Sequence, residues 1–153
     1  MKTKVNISRG DIEFVENLMS ANSDAVGFIP TKGIKSIATK KGLIILYRQN
    51  KRVGYLLSGP IKANEDVSIY QVCIDRDARR TDGGKELFLE FKTRVISSNA
   101  KGIRLRCASN LEANEFWHAL GFKLISTDKP TNRRKRAINT YFLSLQRKYS
   151  RTQ

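Results

Sequence analysis

Two stretches of this 153-residue chain combine residue types that could do chemistry. The first is Arg79-Arg80-Thr81-Asp82-Gly83-Gly84-Lys85, between a β-branched run and an amphipathic segment. A strand that feeds a glycine-bearing loop and a helix start offers free backbone N–H groups and the positive end of a helix dipole. That is a ready site for phosphate or diphosphate. Arg79 and Arg80 add charge, while Gly83 and Gly84 let the backbone approach a ligand closely. The same pattern is also that of an ordinary turn. The second stretch runs from Asn110 to Phe122 and is followed by Arg133-Arg134-Lys135-Arg136, Asn139 and Tyr141. Basic residues there would attract a polyanion.

Other chemistry is excluded or bland. One histidine and two cysteines rule out a disulfide scaffold and multi-histidine metal sites, so no metal is expected. Cys73 and Cys107 fall on predicted strands and read as small hydrophobes. His118 lies beside the apolar stripe of its segment and reads as a surface residue. No stretch approaches the ~20 apolar residues of a membrane span. Residues 1–8 hold no apolar run of a secretory signal. A reducing, cytoplasmic setting and no membrane partner are the expectations.

Charge is the unusual quantity, with 29 Lys+Arg against 14 Asp+Glu, net +15. Residues 1–62 carry 11 basic and 4 acidic residues, residues 63–128 carry 10 of each, and residues 129–153 carry 8 basic and none acidic. A neutral middle thus lies between two basic ends. Such an excess speeds encounter with polyanions without naming one. It also serves solubility alone, with a solvated tail.

The elements that must position these residues follow from periodicity. Ser8 and Asp11 fit a capping box, and Ile12, Val15, Leu18 and Met19 follow at helical spacing. Residues 22–30 read as a loop. Ile34, Ile37 and Ala38 mark a second helix with Gly42 as its stop. Runs 43–48 and 53–58 read as a hairpin. Residues 67–75 make a strand, 76–84 a charged loop, and 85–96 a helix whose apolar face is Leu87, Phe88, Phe91 and Val95. A strand at 103–108 leads to Ser109-Asn110-Leu111-Glu112, again a capping-box pattern. Ala113, Phe116, Trp117 and Leu120 then line one helix face and Gly121 closes it. Strands at 122–126 and 137–145 flank a basic loop at 129–136. A short strand at 4–7 is also compatible. Alternating strands and helices make this an α/β (α+β) protein with a mixed sheet. One domain is expected over residues 1–145, with a basic tail at 146–153.

At this point the residues resemble the GNAT (Gcn5-related N-acetyltransferase) superfamily. Its acyl-CoA loop reads roughly Arg-x-x-Gly-x-Gly/Ala-x-x-Leu. Arg79, Gly84 and Leu87 match in register, with Asp82 where the first Gly is usual. Its later signature, Asn-x-x-Ala-x-x-aromatic/Leu-Tyr-x-x-x-Gly-Phe, is matched by Asn110, Ala113, Phe116, Gly121 and Phe122, with Trp117 in place of Tyr. The resemblance covers about residues 5–145. It implies a mostly antiparallel sheet flanked by helices, with splayed central strands, and acetyl-CoA or another acyl-CoA as cofactor. Val72, Cys73 and Ile74 would offer backbone groups to the pantetheine arm. The amides from Arg79 through Arg80, Asp82, Gly83 and Gly84 to Lys85 would cradle the diphosphate. Asn110 would lie near the thioester, with Phe116 and Trp117 beside the cofactor.

The reaction implied is attack of an amine on an acyl thioester. It needs a deprotonated amine, donors for the developing oxyanion and an acid for the thiolate. The Tyr that many members use as acid is Trp117 here, and an indole N–H delivers no proton at neutral pH. Tyr70 and Tyr141, on predicted strands, are the candidates, although a strand tyrosine is more often a packed core or interface residue. Asp82 would repel a diphosphate unless it points away or pairs with Arg79 or Arg80. Arg133, Arg134, Lys135, Arg136 and Asn139 would face the acceptor. The segment from Arg133 to Tyr141, with Phe116 and Trp117, is also loosely similar to phage Mom-like members that modify adenine in DNA. Such a base would have to leave its stack, and Trp117 could stack on it.

Three functions follow. The first is an acyl-CoA-dependent enzyme whose acceptor amine is on nucleic acid or bound to it. The second is an acetyltransferase of a protein or small amine. The third is a non-catalytic nucleic-acid-binding module of the same fold. A homodimer is compatible with each.

Overall fold

The computed structural model describes residues 2–4 and 7–145. The tail expected at 146–153 lies outside the described residues, as do positions 5 and 6 of the strand expected at 4–7. The chain divides into two compact units. One comprises residues 1–60 and 69–94, the other 61–68 and 95–153.

In the first unit α1 (Arg9–Ala21) starts on the predicted capping box. The Ser8 hydroxyl accepts from the Asp11 amide, and Asp11 accepts from the Ser8 amide at 2.8 Å. Residues 22–30 are not all loop, because a one-turn helix, α2 (Ser23–Val26), forms inside them. The second predicted helix is α3 (Thr31–Thr39). Gly42 does not stop it. The left-handed position falls on Lys41, at φ 64°. Gly42 is needed for another reason: a Cβ there would lie 2.2 Å from the Ser58 carbonyl oxygen.

Four strands, β1 (Lys2–Lys4), β2 (Leu43–Arg48), β3 (Lys51–Ser58) and β4 (Asp66–Ile74), pair successively and antiparallel. The β2–β3 hairpin is tighter than its polar linker suggests. Only Gln49 and Asn50 are unpaired, at φ 50° and 61°, as a two-residue turn with the twist of its strands demands. Alternation sends successive side chains to opposite faces. Ile45, Tyr55 and Cys73 join Ile12, Val15, Met19 and Ile34 in a core under α1 and α3. Leu46 and Ile74 face the other way, against Gly83 at the start of α4 (Gly83–Ser97). That helix opens two residues before its predicted start, so both glycines belong to its first turn. Leu87, Phe88, Phe91 and Val95 are buried, as the periodicity predicts. Each contributes on the order of 1.5–3 kcal/mol of transfer free energy.

In the second unit β5 (Gly102–Ala108), β6 (Lys123–Asp128) and β7 (Ile138–Ser144) pair antiparallel, with β7 between the other two. The helix expected over the second motif is α5 (Ala113–Ala119), closed by Gly121 at φ 96°. Its predicted capping box does not form. The flanking residue is Glu112, without a side-chain cap, and the Ser109 amide bonds the Ala137 carbonyl instead. Every residue of β6 is exposed. No helix among the described residues is long and apolar enough to cross a membrane.

Candidate active site

β4 delivers the chain to the glycine-bearing loop. Cys73 points into the α1–α3 core, where desolvation pushes its thiol up to about 11, against the opposing pull of Arg79. Cys107 is buried on β5, and burial raises its thiol too. Both are small buried hydrophobes, and neither is ionised at neutral pH. After a 3-10 turn at Arg76–Ala78, Arg79 bends back. Its guanidinium donates to the Ile74 carbonyl at 3.0 Å and to Asn22 Oδ1 at 2.6 Å. Arg80 and Asp82 both adopt left-handed backbone, at φ 65° and 62°. The first i→i−4 bond of α4 runs from the Glu86 amide to the Asp82 carbonyl at 2.9 Å. The amides of Gly83, Gly84 and Lys85 precede it and have no intrahelical acceptor. A Cβ on Gly83 would meet Leu46 at 3.2 Å and Ile74 at 3.4 Å, so glycine lets this helix end sit down on the sheet. These amides and the dipole behind them are suited to an anion. Asp82 opposes that anion. It is exposed and makes no ion pair with Arg79 or Arg80 among the described residues.

The second unit holds a hydrogen-bond hub that the sequence reading passed over. Asn114 donates to the Ala108 carbonyl at 2.9 Å and the Leu111 carbonyl at 2.7 Å. Its Oδ1 accepts from Tyr141 at 2.7 Å and from Asn139 Nδ2 at 2.9 Å. Asn139 in turn accepts from Thr127 at 2.8 Å. Tyr141 is buried, and its only hydroxyl proton is engaged. Asn110 is exposed and accepts from Arg136 at 3.4 Å. Trp117 is 6% exposed and packs edge-on between Phe116 and Phe122, with centroids 4.8 and 5.4 Å away. Of the two roles open to Trp117, packing or stacking on a base, the structure shows packing: the indole is core. His118 is exposed, as predicted.

A family model for the acetyltransferase (GNAT) domain matches residues 24–135. The chain belongs to this acetyltransferase family. None of the curated proteins matches it in sequence. Solved structures share its fold at low identity. Ard1 from Thermoplasma volcanium superposes with a TM-score of 0.82 at 16% identity, covering 95% of this chain and 98% of that one. An aminoglycoside 6'-N-acetyltransferase complexed with coenzyme A gives 0.79 at 11%, covering 98% and 100%. Ribosomal-protein-alanine N-acetyltransferase from Brucella melitensis gives 0.76 at 14%, covering 95% and 100%. The GNAT assignment carries the α/β class, the mixed sheet flanked by helices, and the acyltransferase class of enzyme.

Val72, Cys73 and Ile74 end β4, and Gly83, Gly84 and Lys85 open α4. Tyr70 is 49% exposed on β4, at the register shift opposite Leu57 and Ser58, and its hydroxyl has no partner among the described residues. The four basic loop residues are not equivalent, against the expectation that all face an acceptor. Arg134 is half-buried and clamps its own loop, donating to the Arg136 carbonyl at 2.8 Å and the Lys129 carbonyl at 2.9 Å. Arg136 is held by Asn110. Arg133 and Lys135 are the exposed pair. Asn139 is likewise committed to the Asn114 hub. A groove of about 870 Å³ between α1 and α3, lined by Ser8, Glu13, Glu16, Thr31 and Lys35 among others, includes none of the predicted site residues.

Arg48 escaped the sequence reading altogether. It ends β2, far from either motif, and its guanidinium bonds both the hydroxyl and the carbonyl of Thr81. No local signal marks it, because its partner lies 33 residues away. Among the described residues no group of acidic, histidine or cysteine side chains could hold a metal.

Proposed function

We propose that residues 1–145 form one acetyl-CoA-dependent N-acyltransferase domain whose acceptor amine is carried on, or bound to, a nucleic acid. The observation that carries the cofactor half is the start of α4. Three consecutive amides lack intrahelical acceptors there, and a glycine stands where a Cβ would press on Leu46 and Ile74. These residues fit a coenzyme A diphosphate, and Val72 to Ile74 lead straight to them. When bound, the cofactor would supply an acyl group activated as a thioester.

The chain's own residues then hold and orient. The amides of Gly83, Gly84 and Lys85 bind the anion, and Arg79, tied to Ile74 and Asn22, fixes the loop entrance. Tyr141 donates its hydroxyl hydrogen bond to Asn114 and serves to order the β7 side of the second unit. Of the two tyrosines, Tyr70 has a hydroxyl without a partner among the described residues. Tyr70 Oη is then the group that donates the proton to the leaving thiolate. Asn110 orients Arg136 rather than touching the reacting atoms.

The acceptor half rests on the net charge of +15 and on the exposed Arg133 and Lys135. A buried Trp117 argues against a flipped base as the acceptor, so the amine sits on a molecule bound to the polyanion. This part of the reading replaces the similarity to Mom-like members.

The test is coenzyme A in a thermal-shift assay. A ligand at about 100 times its Kd stabilises by about 2.7 kcal/mol, several degrees for a chain of this size. Gly84→Glu should abolish that shift without lowering the unliganded melting point by more than a few degrees. No shift in the native protein at millimolar coenzyme A would refute the reading.

A further inference from the structure

We infer that Arg48 is a positioning residue for the diphosphate cradle, a strap from the sheet that holds the loop in its binding shape. The inference rests on the reading of the α4 start as the coenzyme A site. The loop needs holding. Arg80 and Asp82 are non-glycine residues in left-handed backbone, one on each side of Thr81, and each such residue is costly outside a supporting structure. The loop's own contacts, Arg79 to the Ile74 carbonyl and Thr81 to the Ala78 carbonyl, leave the Thr81 carbonyl to be held from outside, and glycine begins only at Gly83.

Arg48 supplies the support from outside. Its fork takes the Thr81 hydroxyl with one nitrogen and the Thr81 carbonyl with the other, while that hydroxyl donates to the Ala78 carbonyl. The same guanidinium lies 3.5 Å from Glu86, in the first turn of α4. It therefore grips both the loop before the helix and the helix itself. It also neutralises a carboxylate that would otherwise repel a bound diphosphate. Sheet alternation explains why Arg48 can reach. Tyr47 points the other way, with its hydroxyl on Asp11, while Leu46 and Arg48 share the α4 side. The two-residue turn at Gln49–Asn50 fixes the end of the strand and with it the root of the side chain. With both terminal nitrogens on Thr81 and one of them also facing Glu86, Arg48 acts through the loop rather than on the cofactor.

The experiment measures the affinity of two probes, coenzyme A and S-acetylpantetheine, which lacks the diphosphate. Arg48→Met should weaken coenzyme A by about 10- to 30-fold, the lower end of what one hydrogen bond to a charged group is worth. It should leave S-acetylpantetheine within twofold. Arg48→Lys should fall between, since it keeps a charge opposite Glu86 but loses the fork. Because Thr81 is the link, Arg48→Met/Thr81→Val should lose less than the sum of the two single losses. Equal loss for both probes would mean a structural role only and overturn the inference. Additive losses would mean direct contact with the cofactor and overturn it too. Native-like coenzyme A affinity in Arg48→Met would overturn it while leaving the cofactor reading intact. Failure of the native protein to bind coenzyme A would remove both. Should Arg48→Met not fold, Thr81→Val and Arg48→Lys carry the same comparison.

Discussion

Neutralising Arg133 and Lys135 together should change how salt weakens nucleic-acid binding, by an amount the structure sets. Four adjacent basic residues invite the estimate of four phosphate contacts. Two of the four are occupied: Arg134 is spent on the Arg136 and Lys129 carbonyls, and Arg136 on Asn110. Each phosphate contact contributes a slope of about −0.9 in log K against log salt. Over a fourfold rise in salt, two contacts account for about a 12-fold loss of affinity and four for about 150-fold. The assay is fluorescence anisotropy with a labelled 20-base-pair duplex at about 50 to 200 mM NaCl. Arg133→Ser/Lys135→Ser should flatten the slope by about 1.8. Arg134→Ser alone should leave the slope near native but lower the melting point, since it frees two loop carbonyls. An unchanged slope in the double variant would show that the exposed pair touches no phosphate. A full drop from Arg134→Ser with unchanged melting would refute the division of roles. Absence of salt-dependent binding in the native protein would end the polyanion reading.

Asp11 is fully buried and accepts from Ser8, from Tyr47 at 2.7 Å and from Arg52 at 2.8 Å. Asp11→Asn removes the buried carboxylate that pairs with the partly exposed Arg52 and should cost about 1–3 kcal/mol, a few degrees in Tm by calorimetry. Asn114→Ala leaves Tyr141, Asn139 and the Ala108 and Leu111 carbonyls without their shared partner. It should destabilise by about 2–3 kcal/mol in urea titration, and near-native stability would deny the hub its role. Burial lifts the Cys73 thiol from its ordinary 9.0 to about 11 in the folded chain. The stabilisation from keeping it neutral is whole below about pH 9 and is lost as pH rises through about 11. Cys73→Ala should therefore flatten the fall of stability over that window, and native Cys73 should resist iodoacetamide at pH 8.

What could be read along the chain was local. The α1 start was legible because Ser8 and Asp11 satisfy each other across three residues. The apolar face of α4 was legible because helical periodicity and burial agree. The same logic failed at Ser109-Asn110-Leu111-Glu112. There the Asn114 side chain takes the Ala108 and Leu111 carbonyls and the Ser109 amide turns to Ala137, so the helix opens later. Gly42 looked like a helix stop and is instead a close approach to β3, a contact that exists only once Ser58 is alongside.

The amino-acid order by itself thus determined the family, the run of strands and helices, and the loop whose amides open α4. All of these depend on neighbours a few residues apart. Tertiary structure decided which charged and polar groups are free to act. Arg48 meets Thr81 across 33 residues, Tyr141 meets Asn114 across 27, and Arg136 meets Asn110 across 26. A guanidinium or hydroxyl has the same letter whether it is spent inside the fold or offered to a ligand. Only the folded chain says which partner has claimed it.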